Sequence, residues 1–251
     1  MFFSFKLIYI FIFFVSFFLS GFSYAADVEL PGLAVDFSDD NADIANAVKI
    51  FIGMTALSLA PAAIVVMTSF IRIIVVLSML RMALGMQQTP PNTVLISLAL
   101  FLTLFNMMPT FTAIDENAIQ PYIQEKISIQ SAVDIGKSNF KGFMLKHTRE
   151  EDLLLMVDLA KAETPKVESD VSFIHLVPAF ILSELKTAFQ IGFIIFLPFL
   201  LVDIVIASIL MSMGMLMVPP MMISLPIKIL MFILIDGWFI VTKSLMESFY
   251  T

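Results

Sequence analysis

TAFQIGFIIFLPFLLVDIVIASILMSMGMLMVPP, residues 187–220, carries a single ionisable residue, Asp203, in thirty-four positions. Its first part, Thr187 to Val202, is uncharged but shorter than the run of about 20 residues that crosses a bilayer as a helix, and Pro198 lies inside it. Asp203 follows, and then MSMGMLMVPPMM, residues 211–222, sets six methionines in twelve positions around Gly214, Pro219 and Pro220. A helix of this kind is not a clean lipid-facing cylinder. A charge at that depth must face protein or water, and backbone broken by glycine and proline survives there only inside protein or along a cavity.

The rest of the chain has the same character. Of its 251 residues 59% are hydrophobic and 14% charged, with a mean hydropathy of +0.97, values of a chain that lives in lipid. The expected class is all-α and membrane-associated, built of helical hairpins with kinked or broken helices. Cysteine is absent and only two histidines occur, His147 and His175, far apart and without ligand spacing, so no metal or cofactor is implied. The net charge of −7 and the lack of a Lys/Arg cluster set nucleic acid aside.

Residues 1–25 have the plan of an export signal: Lys6, the run LIYIFIFFVSFFL, then small residues before a cut between Ala25 and Ala26. The alternative is a retained first membrane helix. Residues 26–47 are acidic and read as a short external segment. Residues 48–114 read as a first helical hairpin. One uncharged arm runs from Ile50 to Ile71 with a kink at Pro61, another from Met82 to Ile114, and TPPN at 89–92 turns the chain. Arg72 and Arg81 are placed at the closed end of this hairpin, on the cytoplasmic side. Residues 115–172 form the long polar segment, expected outside and helical. In it Thr148 and Glu151 make a T-x-x-E capping box ahead of a helix from about 149 to 162, stopped by Pro165. Residues 173–251 form a second hairpin with a loop near 211–222.

This second hairpin embeds Glu184, Lys186, Asp203, Lys228 and Asp236 in apolar sequence. Such residues are expected to be buried and paired between helices or between subunits, with a proton relay as the alternative. Lys228 and Asp236, eight residues apart, lie more than two helical turns from each other, so each needs its partner elsewhere. Asp203 and Asp236 lack the preceding glycines that would open the backbone around an aspartyl dyad, and an enzyme is not expected. The methionines admit two readings. In a continuous helix, steps of two residues rotate by about 200 degrees and make no stripe, whereas an extended loop puts them on one side. Methionine seals and yields, being unbranched and polarizable, which fits a hydrophobic gate that closes by dewetting; it also fills irregular gaps in a core.

Longer blocks narrow the choice. PAFILSELKTAFQIGF at 178–193, LPFLLVDIVIASILMSMGMLMVPP at 197–220, SLPIKILMFILIDGW at 224–238 and SFIRIIVVLSMLRMALGMQQTPPNTVLISLALFLTLFNMMPTF at 69–111 closely resemble the FliP family of flagellar type III export-gate subunits. The resemblance covers nearly all of the chain after residue 25. It implies a pore-forming subunit that conducts unfolded flagellar proteins out of the cytoplasm and belongs to a family without enzymatic activity. It further implies a multi-pass protein of the bacterial inner membrane that forms a homo-pentamer, a helical ring around a central pore. The implied partners are FliQ, FliR and the other proteins of the flagellar basal body. The homologous subunit of a virulence type III secretion system is the alternative, and an export signal favours the flagellar member. The family's methionine gasket, three consecutive methionines before VPP, falls on Met215, Leu216 and Met217, with Met213 beside it. The middle position departs from the family, since leucine keeps the apolar seal but is branched and less adaptable.

Overall fold

The computed structural model describes residues 41–165, 167–215 and 218–250. The predicted cleavage site at Ala25 and Ala26 lies outside them. Among the described residues every regular element is helical, so the all-α class expected from composition is what the chain adopts.

The chain divides into two compact units between Ala56 and Leu57. The first holds the start of helix α1, Asn41–Val66, where Phe51 and Ile52 are exposed. Helix therefore begins inside the acidic segment that was expected to run to residue 47. The second unit, Leu57–Thr251, contains α2 (Phe70–Ala83), α3 (Asn92–Ile114), α4 (Ile129–His147), α5 (Glu150–Leu159), α6 (Phe173–Ser212), α7 (Pro220–Leu234) and α8 (Gly237–Glu247).

The expected arm from Ile50 to Ile71 is not one helix. It breaks at Met67–Ser69, where the buried Thr68 gives its hydroxyl proton to the Val65 carbonyl instead of letting the chain run on. The 14 residues of α2 then rise only about 21 Å. At its other end Gly85, at φ +78, makes the left-handed turn that ends the helix. Arg81 holds the following loop, donating to the Pro90 carbonyl at 3.2 Å and to Asn92 Oδ1 at 2.7 Å. Arg72, nine residues earlier, sits at the opposite end of α2. The expectation that both arginines mark the closed end is corrected: only Arg81 does.

α3 does not stop at Ile114. A five-residue π turn, Asp115–Ile119, and a last α turn, Gln120–Ile123, carry it on. The wide turn lies just before Pro121, which has no N–H to give to the ordinary ladder. Among the described residues two continuous helices, Asn92–Ile123 and Phe173–Ser212, are long and apolar enough to cross a membrane. α7 and α8, bent by 67°, would be a third if counted together.

α2 is the centre of the second unit. Ile73, Val76 and Leu77 meet Leu95, Ala99 and Leu102 of α3, Ala188 of α6, and Leu245 and Phe249 at the far end of the chain. Leu80 and Ala83 meet Phe199, Phe232 and Val241. Gly192 of α6 allows the two helices to approach, because a Cβ there would run into the Met79 side chain. A third cluster, Met144, Val171, Leu176 and Phe180, seats α4 on the start of α6.

The polar segment holds more helix than its sequence promises. α4, 19 residues long, begins at Ser128, whose hydroxyl accepts from the Ser131 N–H. The capping box at Thr148 does not form, because Thr148 turns back and donates to the Met144 carbonyl. Ser183 of α6 takes over, accepting the Arg149 N–H at 3.0 Å and passing its own proton to Asp152 Oδ2 at 2.6 Å. α5 then closes at Leu159, short of 162. Lys161 at φ +51 forms a Schellman turn, with the Ala162 N–H on the Val157 carbonyl, well before Pro165.

Candidate functional site: the buried ion pairs and the methionine-rich break

α6 carries the apolar stretch, and its polar residues are treated individually. Glu184 is fully buried and meets Arg72, itself only 4% exposed. Arg72 Nε donates to Glu184 Oε2 at 2.9 Å while Nη2 holds Oε1, a two-point pair between residues 112 positions apart. Planar guanidinium matches planar carboxylate, which is why this charge survives inside an apolar bundle. Nη1 donates to the Ser248 carbonyl at 2.9 Å and to Ser248 Oγ at 3.2 Å, and the guanidinium carbon lies 3.9 Å from the centre of the Phe249 ring.

The second pair joins α6 to α7. Lys228 Nζ donates to Asp203 Oδ2 at 2.6 Å and to the Ala83 carbonyl at 3.2 Å, so one buried ammonium closes the hairpin and caps the carboxyl end of α2. Asp203 Oδ1 accepts no hydrogen bond among the described residues. Lys228 and Asp236 do not share a site. Asp236 is exposed at the bend between α7 and α8, where its φ of +51 starts α8. Gly237 follows because a Cβ there would strike the Phe232 ring. Lys186 is also exposed and reaches only the exposed Glu151, at 3.9 Å, a surface pair worth about 0–1 kcal/mol. Within the single chain, then, Glu184 and Lys228 are buried, Asp203 is partly buried, and Lys186 and Asp236 do not show the burial expected of them.

Hydropathy and spacing did not identify Arg72 as the partner of Glu184. A signal was present: a carboxylate inside an apolar helix needs a cation, and Arg72 and Arg81 are the only arginines in the apolar segments.

α6 ends in the methionine-rich stretch. It continues through Ser212, and Gly214 at φ +73 then turns the chain, with the Met215 N–H donating to the Leu210 carbonyl. Met211, Met213, Met215, Met221 and Met222 are all exposed. These five do not fill the core of their own chain. Leu216 and Met217, the other two positions carried over from the gasket, lie outside the described residues.

His147 ends α4 with its ring edge-on to Phe143 at 4.7 Å and near Phe249 at 5.8 Å. Burial lowers its pKa to about 4, and the charges of Arg72 and Lys146 act in the same direction.

Helices long and apolar enough to cross a membrane, a broken apolar hairpin and buried ion pairs locked between helices define a membrane-associated all-helical class. The particular family follows from comparison: residues 53–245 match the model of the FliP family, and the chain belongs to that family. It is 51% identical over 212 residues to the flagellar biosynthetic protein FliP of Bacillus subtilis (strain 168), covering 84% of this chain and 96% of the relative. Identity to the protein of that name from Cereibacter sphaeroides is 48% over 220 residues, 88% of this chain and 73% of the relative. Against the Aquifex aeolicus (strain VF5) protein of that name it is 44% over 223 residues, 88% and 92%.

Proposed function

We propose that this chain is a subunit of the flagellar protein export apparatus, in which it forms part of the pore that conducts unfolded flagellar proteins out of the cytoplasm. The observation that carries the reading is the methionine-rich break between α6 and α7 in a FliP-family chain: five described methionines exposed on the two sides of a glycine turn, on a hairpin joined by the Asp203–Lys228 pair. Apolar, adaptable side chains on an irregular segment at the end of a membrane-length helix serve a constriction that excludes water at rest and repacks around a passing chain.

In this reading the protein is a multi-pass component of the bacterial inner membrane whose export signal is cut between Ala25 and Ala26. It acts in transport, not catalysis. Copies assemble into a pentameric ring with FliQ and FliR inside the basal body, and the ring brings Met213, Met215, Leu216 and Met217 to its axis. Exposed apolar side chains along α6, among them Phe189, Phe193, Leu197 and Leu201, meet neighbouring subunits. Lys186 and Asp236, exposed in the single chain, are assigned to contacts across those interfaces.

The test is small-ion conductance across membranes containing the assembled complex, with Met215→Ala/Leu216→Ala/Met217→Ala compared with the unaltered chain. A leak from a complex that still assembles is the expected result. A tight complex would move the seal elsewhere.

A further inference from the structure

The end of α8 and the residues after it make contacts that the pore reading does not use. Gly237, Val241, Leu245 and Phe249 recur every fourth residue, and all are buried. Leu245 and Phe249 belong to the same cluster as Ile73, Val76 and Leu77 of α2. The spacing continues the α8 stripe past the last helical residue, Glu247, so the chain stays docked after the helix stops.

Ser248 and Phe249 are held by Arg72 of α2 and His147 of α4. Arg72 donates to the Ser248 carbonyl and hydroxyl and lays its guanidinium over the Phe249 ring, while the same guanidinium binds both oxygens of Glu184. The Phe249 ring also meets His147 at the end of α4, His147 meets Phe143, and Phe143 meets Phe180 of α6, its ring centre 6.0 Å away. A buried guanidinium must spend its N–H groups on acceptors. The Ser248 carbonyl and hydroxyl are the only acceptors of Nη1 among the described residues, so withdrawing this segment would leave a buried cation partly unsatisfied.

We propose that residues 245–249 form a strap that fastens α8 to α2 and to the end of α4, so that α8 and the last turns of α4 gain and lose order together. The strap acts at the Arg72–Glu184 end of the second hairpin, and its contacts are independent of residues 211–222.

Hydrogen–deuterium exchange on the full chain in detergent, read by mass spectrometry, tests this. Phe249→Ala is expected to speed exchange by at least about tenfold in peptides covering both 237–247 and 140–147, while 220–234 stays unchanged. Phe249→Tyr, which keeps the ring for Arg72 and His147, is expected to stay within about twofold of the unaltered chain. If Phe249→Ala does not yield folded protein, Phe249→Leu, which keeps apolar bulk without the ring, carries the same expectation. Faster exchange confined to 237–247, unchanged exchange in both segments, or a Tyr variant as loose as the Ala or Leu variant would each overturn the strap.

Discussion

The two ends of α6 treat their side chains in opposite ways. Near one end Glu184, the residue least suited to an apolar helix, is fully buried and satisfied by Arg72. About 43 Å further along the helix, Met213, a residue suited to burial, stands exposed. A charge in a low-dielectric setting must find its partner within its own fold, or the fold does not form. Exposed methionines carry no such obligation. They leave the single chain intact, and so the pinned end reports on how the chain folds, while the open end is where the proposed pore reading sets its seal.

The contrast can be pressed hardest at Glu184. Glu184→Ala leaves the Arg72 guanidinium buried without its carboxylate and should destabilise the chain by about 3–5 kcal/mol. Thermal unfolding of the detergent-solubilised protein measures this. A loss no larger than that of an exposed substitution would break the comparison.

A smaller effect is expected from pH at the same end. The pKa of His147 is about 4 in the fold and 6.5 ordinarily, so the unfolded chain takes up this proton first. The contribution of neutral His147 is therefore complete above about pH 6.5 and is lost as pH falls from there down through about 4. About 2 kcal/mol is at stake, allowing for the incomplete burial of the ring. The quantity to measure is the difference from His147→Phe. That variant should show a shallower decline between pH 6.5 and 4, and equal slopes would show that the ring does not feel its surroundings.

The smallest effect belongs to the open end. Met213→Ala and Met222→Ala should change the stability of the isolated chain by no more than about 0.5 kcal/mol, since neither side chain is buried there. A larger change, read in the same unfolding assay, would mean that these methionines do support their own fold.

Much of the architecture was legible from local signals. The apolar runs gave helix and membrane, Gly214 marked the place where α6 turns, and the quoted blocks resembled the family to which the chain proves to belong. The misplacements share a cause. Arg72 looked like a loop residue because the uncharged arm ends at Ile71 in the sequence, but the chain breaks at Met67–Ser69 and α2 sets Arg72 and Arg81 at its two ends. Thr148 carried the right residues for a capping box, and a serine from α6 did the work. α4 went unseen because its sequence is largely polar, and two of its apolar residues, Phe143 and Met144, pack against Phe180 and Leu176 from a distant part of the chain.

By itself the sequence determined that the chain is helical, apolar and interrupted near residue 214, since backbone hydrogen bonding in lipid permits little else and glycine and proline act on their immediate neighbours. Which cation answers which carboxylate was decided only in three dimensions. The Arg72–Glu184 pair spans 112 positions and Lys228–Asp203 spans 25, and no local preference reaches across such distances. Packing around α2 brings those groups within reach of each other, and desolvation then leaves each of them only one stable choice.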